Sequence, residues 1–180
     1  WLKECNRFMT VWQQTLLSPL VSSLLFLSVL SLALGTNREE VLGHSFISFL
    51  APGLIAMSIL TQSFSHSVSS LMIAKMQGTI IDTLHAPLSG LEVSLAIIFA
   101  AVTRSLLIAT ISIIVFSIII EINFYNFFYI FIFAFLGSFI LGGLGFITGL
   151  WAEKFDHTAT VTNFIITPLS FLSGVFYSVD

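Results

Sequence analysis

Charged side chains are scarce in this chain: Lys, Arg, Asp and Glu together make up 8% of its 180 residues, against about 25% in a soluble domain. That scarcity excludes a water-facing globular surface. Six basic side chains are scattered among nine acidic ones, and no block of either sign exists to read as a nucleic-acid footprint. Cysteine is nearly absent, and the single Cys5 excludes an internal disulfide framework and any cysteine-based metal site. No GxxxxGK[ST] stretch occurs, so no P-loop holds ATP here. The four histidines, His44, His66, His85 and His157, lack metal-ligand spacing and an HExxH companion. No serine stands in a GxSxG setting. Covalent chemistry therefore has no candidate residue, and the chain does not read as an enzyme.

What is present is apolar length. Hydrophobic residues make up 57% of the chain, the composition of a membrane protein. Crossing a bilayer takes about 20 mostly apolar residues, and unpaired backbone groups in lipid require helices or a closed barrel. The runs are too long and too continuous for barrel strands, so the expectation is an all-α bundle forming one transmembrane domain over 1–180. Helices are expected near 14–34, 46–70, 92–119, 127–150 and 160–178. Lys and Arg favour the cytoplasmic side. Lys3, Arg7, Lys75 and Lys154 then share one side with Arg38 alone on the other, which predicts a cytoplasmic N-terminus and outer loops near 37–40 and 121–126. The start at Trp1 rather than methionine is that expected of a fragment, and its amphipathic opening does not read as a secretory signal.

Residues 1–13 place Trp1, Leu2, Cys5, Phe8, Met9 and Trp12 at helical spacing, with Lys3, Glu4, Asn6, Arg7 and Thr10 opposite. Such a helix is expected to lie in the headgroup region. The aromatic run FYNFFYIFIF at 124–133 fits an interfacial belt. GGLGFITG at 142–149 has no preceding strand and lies inside a span. Gly142, Gly145 and Gly149, with Ser138 before them, read as a helix-packing seam rather than a nucleotide loop. Arg104 is a fixed charge inside a span, costing about 2.5–3.5 kcal/mol near a helix centre. It is expected either at the inner leaflet, reaching toward phosphates, or in a substrate path. His66, within the second span, reads as a histidine buried among helices, with a proton relay as the alternative.

The stretch 75–91, between the second and third spans, breaks this pattern. In GTIIDTLHAPLS, 78–89, Ile80, Ile81, Leu84 and Leu88 share a helical face, while Asp82, Thr83 and His85 point elsewhere. Gly78 separates the turn from the preceding span, and Pro87 should end it near Ala86. A helix this short is marginal alone in water, so it needs a lipid or protein partner.

FLAPGLIAM, then SFSHSVSSLMIAKMQGTIIDTLHAPLSGLEV, and finally PLSFLSGVFYS resemble the permease subunits of type 2 ABC transporters, in the bacterial branch of nodulation-factor and capsule exporters. The resemblance covers about residues 12–180. It implies a multi-pass permease of the bacterial inner membrane that works as a homodimer and exports cargo with two separate ATPase subunits. ATP and Mg would bind those partners, leaving no cofactor on this chain. It also implies that Gly78, Thr79, Ile81, Asp82, Leu84, His85, Pro87 and Leu88 form a coupling helix docked on the ATPase. Six spans are implied, so the chain should end before the sixth. Two rivals explain less. An ion-coupled secondary transporter would use His66 and Arg104 but should show inverted repeats, and a lipid-modifying membrane enzyme needs converging acids or histidines.

Overall fold

The computed structural model describes residues 1–34, 40–41, 44–120 and 126–172. Helix α1 (Leu2–Thr10) leads through a π-helical turn (Gln13–Leu17) into α2 (Ser18–Leu34). A two-residue antiparallel ladder, β1 (Glu40–Val41) with β2 (His44–Ser45), precedes α3 (Phe46–Met76). Then come α4 (Ile80–His85), α5 (Gly90–Ile119) and α6 (Phe127–Trp151). Helix α7 (Phe155–Val161) passes through a second π turn (Thr162–Ile166) into α8 (Thr167–Leu172). Apart from the short ladder, the fold is all-α, as composition requires.

Four helices are long and apolar enough to cross a membrane: Gln13–Leu32, Ile47–Met76, Gly90–Ile119 and Phe127–Trp151. The fifth expected span is helical from Phe155 to Leu172; its remainder, with the SGVFYS stretch, lies outside the described residues. The expected outer loops near 37–40 and 121–126 fall largely outside them too.

Two boundaries move. Helix α3 runs to Met76, six residues past the expected end. Within the expected span, Ser63, His66, Ser67 and Ser70 of SFSHSVSS are all buried, so their polarity faces protein rather than water. Lys75 sits in the last turn of α3 rather than in the loop. Its Nζ donates to the carbonyls of Leu150 at 2.6 Å and Ala152 at 2.8 Å, capping the negative end of α6. The loop expected over 151–159 shrinks to the few residues around Ala152 and Lys154, because Asp156 in the first turn of α7 favours a helix N-terminus there.

Helix α3 is the hub, packed on α2, α5 and α6. Near its start Leu50, Leu54, Ile55 and Ile59 join Leu27, Ala109 and Phe116 in one core cluster. Toward its end Phe64, Val68 and Met72 join Ala152 and Ile166 in another. Lipid provides little hydrophobic drive between helices, so small residues and interhelical hydrogen bonds carry the contact. Ser63 Oγ donates to the Ser138 carbonyl at 2.6 Å, and Ser105 Oγ to Ser138 Oγ at 3.0 Å. Gly142, Gly145 and Gly149 are buried on the same face of α6. A Cβ at Gly145 would stand 2.5 Å from the Phe64 carbonyl oxygen.

Candidate functional site

The α3–α5 connection is built from local rules. Gly78 adopts φ +72°, a left-handed conformation that costs other L-residues about 1–2 kcal/mol, and it turns the chain out of α3. Thr79 then stands at the N-cap position of α4 without a side-chain capping bond, and Ala86 ends the helix in an extended conformation (φ −64°, ψ 145°) that the following Pro87 favours. His85 Nδ1 lies 2.9 Å from the Ile81 carbonyl, tying its ring back onto α4. Ser89 and Glu92 close a capping box at the start of α5: Glu92 N donates to Ser89 Oγ at 3.3 Å, and Ser89 N donates to Glu92 Oε2 at 2.7 Å. The segment thus has fixed ends. Its middle has no cover, since no residue of α4 is buried. Ile81 is 56% exposed, Leu84 77% and Leu88 54%, while Asp82, also exposed, occupies the first turn. Leu91, 75% exposed at the start of α5, is a further exposed apolar side chain beyond the residues picked from sequence, and the non-helical break at Ala86–Ser89 leaves no helical spacing that could have signalled it. Gly78→Ala should raise the free energy of this turn by about 1 kcal/mol, the left-handed penalty less the glycine entropy regained. Faster amide exchange over 79–86 in the variant would register it; unchanged exchange would show that Gly78 is not the constraint.

A polar cluster joins α1 to the spans. Glu4 Oε2 accepts from Ser70 Oγ at 2.7 Å and pairs with Arg7 at 3.0 Å. Phe8, 3% exposed, meets the His66 ring edge-on at 5.7 Å between centroids. Helix α1 therefore turns Glu4 and Phe8 inward, leaving Trp1, Leu2, Met9 and Trp12 exposed. Cys5 is half-buried beside them, and burial pushes its thiol pKa up, away from a reactive thiolate.

Arg104 reaches the same cluster from α5. Its Nη2 donates to Gln62 Oε1 at 2.8 Å and to the Thr15 carbonyl at 3.5 Å, and Nη1 approaches His66 Nδ1 at 3.4 Å. With Nδ1 as acceptor the ring proton sits on Nε2, which faces Glu4 Oε2 at 4.0 Å. Arg104 thus stands level with Thr15 at the start of the first span and with Gln62 and His66 of α3, and its guanidinium is directed at protein acceptors. His66 is 2% exposed, a buried histidine among helices. No group of three or more metal-ligating side chains occurs among the described residues.

Next to this cluster, a groove of about 270 Å³ separates α2 from α3. Ser18, Ser22, Ser23, Ser58, Thr61 and Gln62 line its polar side, and Phe26, Leu54, Met57 and Phe171 its apolar side. The sequence reading missed it, although Ser18–Ser22 and Ser58–Gln62 are both spaced i, i+4, a polar stripe along one helix face.

A multi-pass helical bundle with a short uncovered helix between its second and third spans can now be compared with known proteins. The chain is similar to the inner membrane transport permease YadH of Escherichia coli K12, 29% identical over 178 residues that cover 99% of this chain and 70% of YadH. The YadH permeases of Escherichia coli O157:H7 and Shigella flexneri align with the same identity and coverage. No solved structure matches it. The family profile described as ABC-2 type transporter matches residues 1–180, and the chain belongs to that family.

Proposed function

We propose that this chain is the transmembrane subunit of an ATP-driven exporter of the bacterial inner membrane. Two copies form the translocation path, and two separate ATPase subunits carry ATP and Mg. The observation that carries the reading is the uncovered pair Ile81 and Leu84 on α4, with exposed Leu88 in the non-helical link that follows rather than on the helical face expected for it, all held between a glycine turn and a capping box. An exposed apolar patch in a fixed geometry marks an interaction site. Family membership supports a transporter subunit and implies association with ATPase partners in general.

The mechanism follows from connectivity. ATP-driven closure of the partners would move α4, which is joined to α3 through Gly78 and to α5 through the Ser89 cap. Helix α3 packs on every other long helix, and Lys75 ties its end to that of α6. Displacing α4 therefore biases the whole bundle between two packings, a population shift driven by ATP binding. Family relationship and charge distribution both support a cytoplasmic N-terminus with α4 on the same side.

Two measurements check this. The full-length permease should co-purify with the ATPase encoded beside it and raise its ATP hydrolysis; failure to recover any ATPase would sink the reading. In a Cys5→Ser background, Thr36→Cys should label with an impermeant thiol reagent in intact cells while Thr79→Cys stays protected. The reverse pattern would invert the orientation.

A further inference from the structure

The groove between α2 and α3 has an electrostatic bias that its lining alone does not reveal. Many span hydroxyls are folded back onto their own helix: Ser23 Oγ on the Pro19 carbonyl at 2.8 Å, Thr110 on Leu106 at 2.9 Å, Ser117 on Ile113 at 2.7 Å. Inside the groove, Ser18, Ser22 and Ser58 make no such bond among the described residues. Polar groups without partners are costly against acyl chains, so this wall faces water or a polar cargo. Behind it lies Arg104, whose bond to Gln62 Oε1 leaves the Gln62 amide NH₂ as a further donor at the groove. The nearby carboxylate of Glu4 is already paired with Arg7. Arg104 itself has no carboxylate within ion-pair distance among the described residues; its partners are an amide, a carbonyl and an imidazole.

We propose that the groove is a cargo-facing wall selective for negatively charged cargo, with Arg104 supplying the charge and Ser18, Ser22, Ser58 and Gln62 supplying hydrogen-bond donors. This rests on the transporter reading above and deepens it by naming the cargo chemistry: a phosphate, phosphodiester or carboxylate group, free or carried on an amphiphile. At an effective dielectric of about 20, an uncompensated unit charge acting over about 10 Å changes the local preference for a monoanion by on the order of tenfold.

The test uses the full-length permease with its ATPase in proteoliposomes, carrying Cys5→Ser and Ser22→Cys. Modification rates are measured with the anionic sulfonatoethyl, cationic trimethylammonioethyl and neutral methyl methanethiosulfonates. The anionic-to-cationic rate ratio should exceed that of free cysteine in solution. Arg104→Gln should lower it by on the order of tenfold, and Arg104→Lys should keep it. Gln62→Glu should lower it equally by placing a carboxylate on the guanidinium, which covers the case in which Arg104→Gln does not fold. An unchanged ratio in both charge-cancelling variants, with the neutral reagent still reacting, would overturn the charge selectivity and leave the path reading standing. No reaction with any reagent at either Ser22→Cys or Ser58→Cys would remove the path reading itself. Decyl phosphate and inorganic phosphate, added separately as protectants, distinguish the sources. Protection by decyl phosphate alone identifies an amphiphile's head group, and protection by both identifies the free anion as sufficient. Equal protection by uncharged decyl maltoside would contradict the proposal.

Discussion

Gly145→Ala should lower the thermal midpoint of the full-length permease in detergent by roughly 5–10 °C. A methyl group there would stand 2.5 Å from the Phe64 carbonyl oxygen and 3.1 Å from its Cα. These are backbone atoms in the hub helix, so no rotamer change can relieve the contact and α6 must move off α3. Overpacking of this kind typically costs about 1–3 kcal/mol, and each kcal/mol shifts the midpoint of a protein this size by about 2–4 °C. The neighbouring glycines give a graded comparison. At Gly149 the nearest atoms are Leu71 Cβ and Cδ1 at 3.0 Å, half an ångström farther than the carbonyl at Gly145, and only Cδ1 can rotate away, so Gly149→Ala should cost less but not nothing. At Gly143 nothing lies within 4 Å. Gly143→Ala should therefore be neutral or stabilising by up to about 1 kcal/mol, because alanine loses less entropy in a helix. Equal effects at 143 and 145 would show that helix propensity, not close approach to α3, governs this seam.

The spans were legible because their signal is local: an apolar run of bilayer length needs no knowledge of its neighbours. The short helix before Pro87 was legible for the same reason, its glycine, its apolar spacing and its proline all falling within a dozen residues. What the sequence concealed is the destination of its polar residues. The second span was expected to end at 70, before LMIAKM and its lysine, and nothing in SFSHSVSS told that its side chains turn inward against α1, α5 and α6. The contact between Glu4 and Ser70 joins residues 66 apart, and no spacing rule connects them. Arg104 shows both sides of this. Its place as a fixed charge inside an apolar run was plain from the sequence, but the direction of its guanidinium depends on Gln62 and Thr15, which tertiary packing alone brings together. The groove could have been suspected from paired polar residues at i, i+4 in two spans, but only the packing of α2 on α3 turns the two stripes into facing walls.

The central claim is that α4 docks into an ATPase subunit, and Leu84 tests it most directly. Leu84 is 77% exposed, so Leu84→Asp should change the stability of the permease itself by no more than about 0.5 kcal/mol, as surface substitutions usually do. Docked in a partner's groove, the leucine contributes about 1.5–3 kcal/mol on burial. Aspartate forfeits that contribution and adds the cost of desolvating a carboxylate. Since about 1.4 kcal/mol is a factor of ten, ATPase affinity should fall by at least tenfold, and the permease's stimulation of ATP hydrolysis should fall with it. A helix that merely rests on lipid would behave differently, since its membrane contact would loosen while the ATPase stayed attached. The measurement is recovery of the ATPase with wild-type and Leu84→Asp full-length permease, with ATP hydrolysis recorded on the same samples. The account predicts a tenfold or greater loss in the variant; unchanged recovery with unchanged stimulation would contradict it.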